Sequence, residues 1–82
     1  MLITVEMSFY PFAEQYIPAI KNTVTRLNNA ENVQVKTNAT ATHIVGEYDV
    51  VMALVSKEIK MSFEEVGKSV FVCKFINSEL AI

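Results

Sequence analysis

Two periodicities divide this chain. From Leu2 to Ser8 the residues alternate, with Ile3, Val5 and Met7 on one side and Thr4, Glu6 and Ser8 on the other. That is a half-buried strand with a polar second face. Phe9-Tyr10-Pro11-Phe12 forms an aromatic corner in which Pro11 disfavours helix at Tyr10. A helical stripe then takes over in Tyr16, Ile17, Ile20, Val24 and Leu27, with Lys21, Thr25 and Arg26 among the solvated positions. The helix is predicted from about Ala13–Tyr16 to Asn28. Pro18 must fall in its first turn, where a missing N–H costs little, so helix begins in earnest near Gln15.

Asn28 to Asn32 is a run of turn formers. Val33 and Val35 alternate with Gln34 and Lys36 as a second strand, and Thr37-Asn38-Ala39 is the expected bend. A third strand covers Thr40 to Val45, and its pattern leaves both face assignments open. Gly46 punctuates its end. A second helix starts at Tyr48, with Val51, Val55 and Ile59 on one stripe and Glu47 and Asp49 at the end that favours negative charge. Its C-terminal half has two readings. Ser62-Phe63-Glu64-Glu65 fits a capping box that restarts the helix after a break near Lys60, or the helix runs through to Val66. Gly67 ends it either way. The last strand, Ser69 to Ile76, sets Phe71, Cys73 and Phe75 on one face and Val70, Val72 and Ile76 on the other. The tail from Asn77 is too short for another element, and Leu80 and Ile82 are free to dock on a neighbour.

The order is βαββαβ. It predicts a ferredoxin-like α+β sandwich in which a four-stranded antiparallel sheet carries both helices on one face. Residues 1–82 read as one domain with one modest core and no repeat or linker. The uncovered face of the sheet should hold Thr4, Glu6, Ser8, Gln34 and Lys36 beside Val70, Val72 and Ile76. Hydrophobic residues make up 51% of the chain, more than one small core readily hides. Aliphatics beside a polar field suggest a covered surface, and a second copy of the same sheet is the expected cover.

Charge and chemistry narrow the function. A net charge of −2 argues against nucleic acid, and no apolar run is long enough to span a membrane. The N-terminus shows no signal-peptide pattern, and a single cysteine fits a reducing cytoplasm. Catalytic constellations are lacking. His43 is the sole histidine and sits within a strand, Cys73 alternates with phenylalanines, and Ser8 has no recognisable His-acid partnership. No metal spacing and no cofactor signature is present. Arg26, the sole arginine, lies late in a helix, away from where an acylphosphatase-type phosphate cradle would need it. Binding is left as the expected role, and the protein is expected not to be an enzyme.

Ser8-Phe9-Tyr10-Pro11 after the first strand, then Thr42-His43-Ile44-Val45-Gly46-Glu47 leading into Asp49-Val50-Val51-Met52, read as S-x-Y-P, T-x-x-x-G-E and D-x-V-M. In order and spacing these motifs resemble the YkoF-type thiamine/hydroxymethylpyrimidine-binding family, and the resemblance runs loosely over nearly the whole chain. It implies the ferredoxin-like fold and a ligand, thiamine or its hydroxymethylpyrimidine moiety, bound for transport, salvage or storage. It also implies a homo-oligomer, a dimer or tetramer, because relatives carry the unit in tandem as well as singly. Glu6, Ser8 and Tyr10 on or after the first strand, Asn38, Thr40 and Thr42 on or near the third, and Glu47 after it are the expected ligand-binding residues. A carboxylate such as Glu6 suits the pyrimidine edge or the cationic thiazolium. Two stretches depart from the family pattern. Ala39-Thr40-Ala41-Thr42 stands where many relatives have Pro-Met-Ser/Gly-Thr, and Val45 stands where some have an acid. The alternative is an ACT-like interaction or regulatory module whose sheet face is purely a subunit interface.

Overall fold

A computed structural model of the chain describes residues 1–12, 14 and 16–82. The elements run β1 (Leu2–Pro11), α1 (Tyr16–Asn28), β2 (Gln34–Thr37), β3 (Thr42–Glu47), α2 (Tyr48–Val66) and β4 (Ser69–Ile76). The sheet order is β2-β3-β1-β4 with every pair antiparallel, the ferredoxin-like α+β arrangement. The helical start expected at Ala13 or Gln15 lies outside the described residues. Pro18 occupies the third position of α1, inside the first turn.

The alternation in β1 sorts as read. Ile3, Val5 and Met7 are buried and join Leu27, Ile44, Val51 and Val55 in the core between sheet and helices. Thr42 and Ile44 oppose Met7 and Val5, which fixes the face of β3 that the sequence left open. β1 is longer than its alternation suggested, because Tyr10 and Pro11 continue the ladder opposite Val70 and Ser69. Gly46 lies within β3 rather than at a turn. A methyl group there would stand 3.0 Å from Val33 Cγ1 and 3.2 Å from Val51 Cγ2, so the glycine lets α2 close onto the sheet. Gly67 ends α2 at φ +80°, ψ −138°, a conformation suited to glycine, and its N–H caps the Phe63 carbonyl.

One alternative is settled and two features of the sequence reading change. α2 runs through to Val66, the second of the two readings, so Ser62 is no N-cap. It lies fully buried in mid-helix, 2.9 Å from Thr23 Oγ1 and 3.2 Å from Glu58 Oε1. Arg26 is not a free surface charge. Its Nε donates to Glu58 at 2.8 Å and its Nη1 to Glu65 at 2.8 Å, and Asn22 adds a bond to Glu65. Glu58 and Ser62 extend the Val51-Val55 stripe, so α2 turns a polar stretch toward α1. The tail bonds to its own sheet: Thr4 donates to the Ser78 carbonyl at 2.8 Å and accepts from Leu80 N–H at 3.0 Å. Thr4 is thereby buried, as is its cross-strand partner Val45.

Hydrogen bonds from Asn22 and then Arg26 hold the Glu65 carboxyl below its ordinary value of 4.5. The folded form thus favours the ionised carboxylate. Its contribution is complete above the ordinary value and disappears as pH falls through the lowered one. Glu65→Gln should therefore flatten the acid limb of the stability curve. Urea melts of both proteins at pH 6 and through the acid range check this, and parallel acid limbs would contradict it.

Candidate functional site

The row of residues where β1, α1 and the β2–β3 connection meet is shaped by one asparagine. Asn38 Oδ1 accepts from Thr40 N–H at 2.9 Å, Ala41 N–H at 3.0 Å and Thr40 Oγ1 at 3.2 Å, while Asn38 N–H donates to the Ala41 carbonyl at 2.9 Å. An asparagine that bonds its own following backbone makes a turn without a glycine. The turn occupies residues 38–41, so the strand expected from Thr40 begins at Thr42. Ser8 donates to the Thr40 carbonyl at 3.0 Å and ties the turn to β1. Asn28, at the end of α1, donates to Thr37 at 3.0 Å, and Thr37 in turn shares a 3.0 Å bond with Thr42.

Between this turn, the end of β1 and the inner face of α1 lies a cleft of about 420 Å³. The apolar side is aromatic. Phe9 and Phe71 from neighbouring strands stack face to face, with centroids 4.4 Å apart and rings within 10° of parallel, and Phe63 meets Phe71 edge-on at 5.7 Å. Ile20, Val24 and Leu27 of α1 complete it, with Tyr10 and Tyr16 at its border. Tyr16 and Ile17, placed on the buried stripe by periodicity, are more than half exposed. The polar side consists of Ser8, Thr23, Thr37, Asn38, Thr40 and Thr42. Among the described residues no charged side chain lines the cleft.

Of the residues the sequence singled out, the cleft brings together Ser8, Tyr10, Asn38, Thr40 and Thr42. Glu6 stands on the uncovered face of the sheet, 3.3 Å from His43 Nε2 and 3.8 Å from Lys74 Nζ. Glu47 pairs with the N-terminal ammonium at 3.1 Å, at the far end of β3. Neither acid reaches the cleft. Sequence reasoning did not single out Thr23, Phe9 or Phe71 for the site. Thr23 had a legible sign, since a threonine three residues after Ile20 and four before Leu27 falls on the inward stripe of α1. The phenylalanine stack depends on strand register, which pairs Phe9 with Phe71 and is not legible from either segment alone.

Groups with catalytic potential are poorly placed for it. Burial pushes the Cys73 thiol up, away from the thiolate that makes cysteine reactive. His43 engages Glu6 on the other side of the sheet. No group of three or more His, Cys, Asp or Glu among the described residues is arranged to hold a metal, and none of the described helices is long and apolar enough to cross a membrane.

A family model for the YKOF-related family matches residues 3–78. Among solved structures, a Streptococcus pneumoniae protein superposes with a TM-score of 0.88 at 18% identity, covering 98% of this chain and 90% of its own. A Thermotoga maritima protein named a "putative thiamine biosynthesis/salvage protein" gives 0.86 at 14% identity, covering 100% and 91%. A Bacillus cereus domain of unknown function gives 0.80 at 16%, covering 100% and 84%. At these identities the superpositions establish the fold. No curated protein matches the sequence.

If Asn38 builds the wall of the cleft, Asn38→Ala should speed hydrogen exchange at the Thr40 and Ala41 amides by about tenfold or more while core amides such as Val5 stay protected. Exchange followed by NMR reads both. Unchanged rates at Thr40 and Ala41 would show the turn to be held by other means.

Proposed function

The chain belongs to the YKOF-related family, and on that premise we propose that its cleft binds thiamine or the hydroxymethylpyrimidine moiety of thiamine, in transport, salvage or storage of the vitamin. The observation that carries this reading is the pairing of an aromatic wall with a row of hydroxyls and an amide in a space of about 420 Å³. A substituted pyrimidine is flat, apolar on its faces, and edged with donors and acceptors. Small-molecule sites generally take this form, at roughly 300–1,000 Å³ with a few convergent polar groups. The name carried by the Thermotoga maritima protein of the same fold points the same way. The reading is of a binding protein rather than an enzyme. The neutral cleft offers orientation and no general acid or base.

The binding groups proposed are Ser8, Tyr10, Asn38, Thr40 and Thr42, joined by Thr23 and the Phe9–Phe71 stack. Glu6 is proposed instead as part of the subunit face, where Val70 and Val72 are 41% and 52% exposed. Pairing of that face between copies gives a homo-oligomer, a dimer or tetramer, working in the cytoplasm. The same exposed aliphatics support the second reading, an ACT-like interaction or regulatory module in which the sheet face is the functional surface and the cleft takes no vitamin.

Calorimetric titration of unfolded and refolded protein with thiamine and with hydroxymethylpyrimidine separates the two readings. Saturable heat is expected, with Thr42→Val weakening binding by about tenfold, the scale of one hydrogen bond, and Glu6→Gln leaving it unchanged. Affinity lost in Glu6→Gln alone would move the site to the open face. No heat from a folded oligomer would favour the interaction module. For the oligomer, Val72→Lys should shift the sedimentation mass toward the monomer, and an unchanged mass would clear the face of that role.

A further inference from the structure

Counting hydroxyl protons around the cleft assigns it a polarity that its composition alone does not reveal. Each serine or threonine hydroxyl has one proton to give and two lone pairs to receive. Ser8 gives its proton to the Thr40 carbonyl, and Thr40 gives its own to Asn38 Oδ1. Thr37 and Thr42 spend one proton between them. The decisive case is Thr23, which is 3% exposed and lines the inner wall. The 2.9 Å contact between Thr23 and Ser62 could run in either direction if considered by itself. Ser62, however, also contacts Glu58 Oε1 at 3.2 Å, and that carboxylate is held by the Arg26 guanidinium at 2.8 Å. A carboxylate in an ion pair can only accept, so the single proton of Ser62 goes to Glu58. Thr23 must then donate to Ser62, and its remaining capacity is as an acceptor.

We infer that Glu58, acting through Ser62, fixes Thr23 as a hydrogen-bond acceptor on the inner wall, so that the cleft selects planar heterocycles presenting an amino group there and rejects their oxo counterparts. This rests on the reading of the cleft as a pyrimidine site and names the chemical class it prefers. Four of the five aliphatic hydroxyls in the cleft have committed protons, so these hydroxyls present mainly lone pairs, while the Asn38 amide and the two tyrosines keep the donors. A carbonyl oxygen or carboxylate brought against Thr23 meets oxygen facing oxygen, whereas an exocyclic amine supplies the missing proton. Sites built around a specific hydrogen bond discriminate strongly because the wrong partner leaves buried groups unpaired. Thr23 is the specificity-determining residue, and Ser62 and Glu58 are positioning residues that act through it.

The test is calorimetry with 4-amino-5-hydroxymethyl-2-methylpyrimidine and its 4-oxo analogue, on the wild type and on Ser62→Ala, Thr23→Val and Thr23→Ser, with thermal melts to certify folding. The wild type should bind the amino compound about tenfold or more tightly than the oxo compound. Ser62→Ala releases the Thr23 proton, so the oxo compound should gain affinity and the ratio should fall toward one. Thr23→Val should also collapse the ratio, and Thr23→Ser should restore it. Equal binding of both compounds by the wild type overturns the inference while leaving the cleft as the site. An unchanged ratio in folded Ser62→Ala overturns the role of Ser62 and Glu58. Binding of neither compound to the wild type overturns the pyrimidine reading of the cleft, and this inference falls with it.

Discussion

The polar interlock between the two helices is the constraint on which the rest of this small structure depends. Arg26, Glu58, Ser62, Thr23, Asn22 and Glu65 form a chain of hydrogen bonds from a buried carboxylate to the surface. In an apolar helix pair, side chains slide past one another at little cost. Here a sliding helix would strand a buried carboxylate, and losing one partner of such a pair costs about 3–5 kcal/mol when it is fully buried. Arg26 is 28% exposed, so the penalty is smaller, but its direction is the same. The interlock fixes α1 against α2, while Leu27 holds the end of α1 in the core. Among the described residues, the first turns of α1, before Asn22, make no such side-chain hydrogen bonds. That difference between the two halves leaves a cleft where another core would have closed.

The connection between β2 and β3 supplies the facing wall by the opposite means. It has no glycine and only the small buried Ala41 as an apolar anchor, and its conformation rests on one side chain accepting three hydrogen bonds from the residues that follow. Ser8 and Thr37 link that turn to β1 and, through Asn28, to the end of α1. The site therefore lies between a helix positioned by charge and a turn positioned by an amide. The hydrogen bonds of both sets lie within the protein, although Arg26 Nη2 is buried without a partner. A ligand arriving in the cleft meets groups that are already oriented, and orientation bought before binding is not charged against affinity.

The order of elements and the inward face of β1 were legible because strand alternation is local and its period is two. The open-face aliphatics Val70 and Val72 were legible for the same reason. What escaped was whatever depended on a partner remote in sequence. Ser62 matched a local capping pattern and was read as a possible helix start, yet its hydroxyl answers to Thr23, which is 39 residues away. Arg26 looked solvated on its own helix and is claimed by Glu58 on another. Thr4 looked exposed until the tail folded back over it. Of the residues proposed for the site, the hydroxyl-bearing ones near the S-x-Y-P and T-x-x-x-G-E motifs line the cleft. Glu6, included to pair with the pyrimidine edge or the cationic thiazolium, and Glu47 are carried elsewhere on the sheet.

The absence of charge along the cleft, among the described residues, has a consequence for how a cationic vitamin can sit. An unpaired charge taken into an apolar enclosure loses several kcal/mol of solvation, far more than a few hydroxyls return. If the proposed ligand, a neutral aminopyrimidine joined to a cationic thiazolium, occupies the cleft, the two rings are therefore sorted by the site. The neutral ring gains from the phenylalanine stack and the inner hydroxyls, whereas the cation is best left at the border. Tyr10 and Tyr16 stand at that border, each 52% exposed. The face of an aromatic ring attracts a cation without removing it from water, worth about 0.5–1 kcal/mol at exposed positions. Recognition so arranged draws its affinity chiefly from the pyrimidine and only weakly from the thiazolium. On the proposed reading, the free pyrimidine and the whole vitamin are expected to be ligands of similar strength.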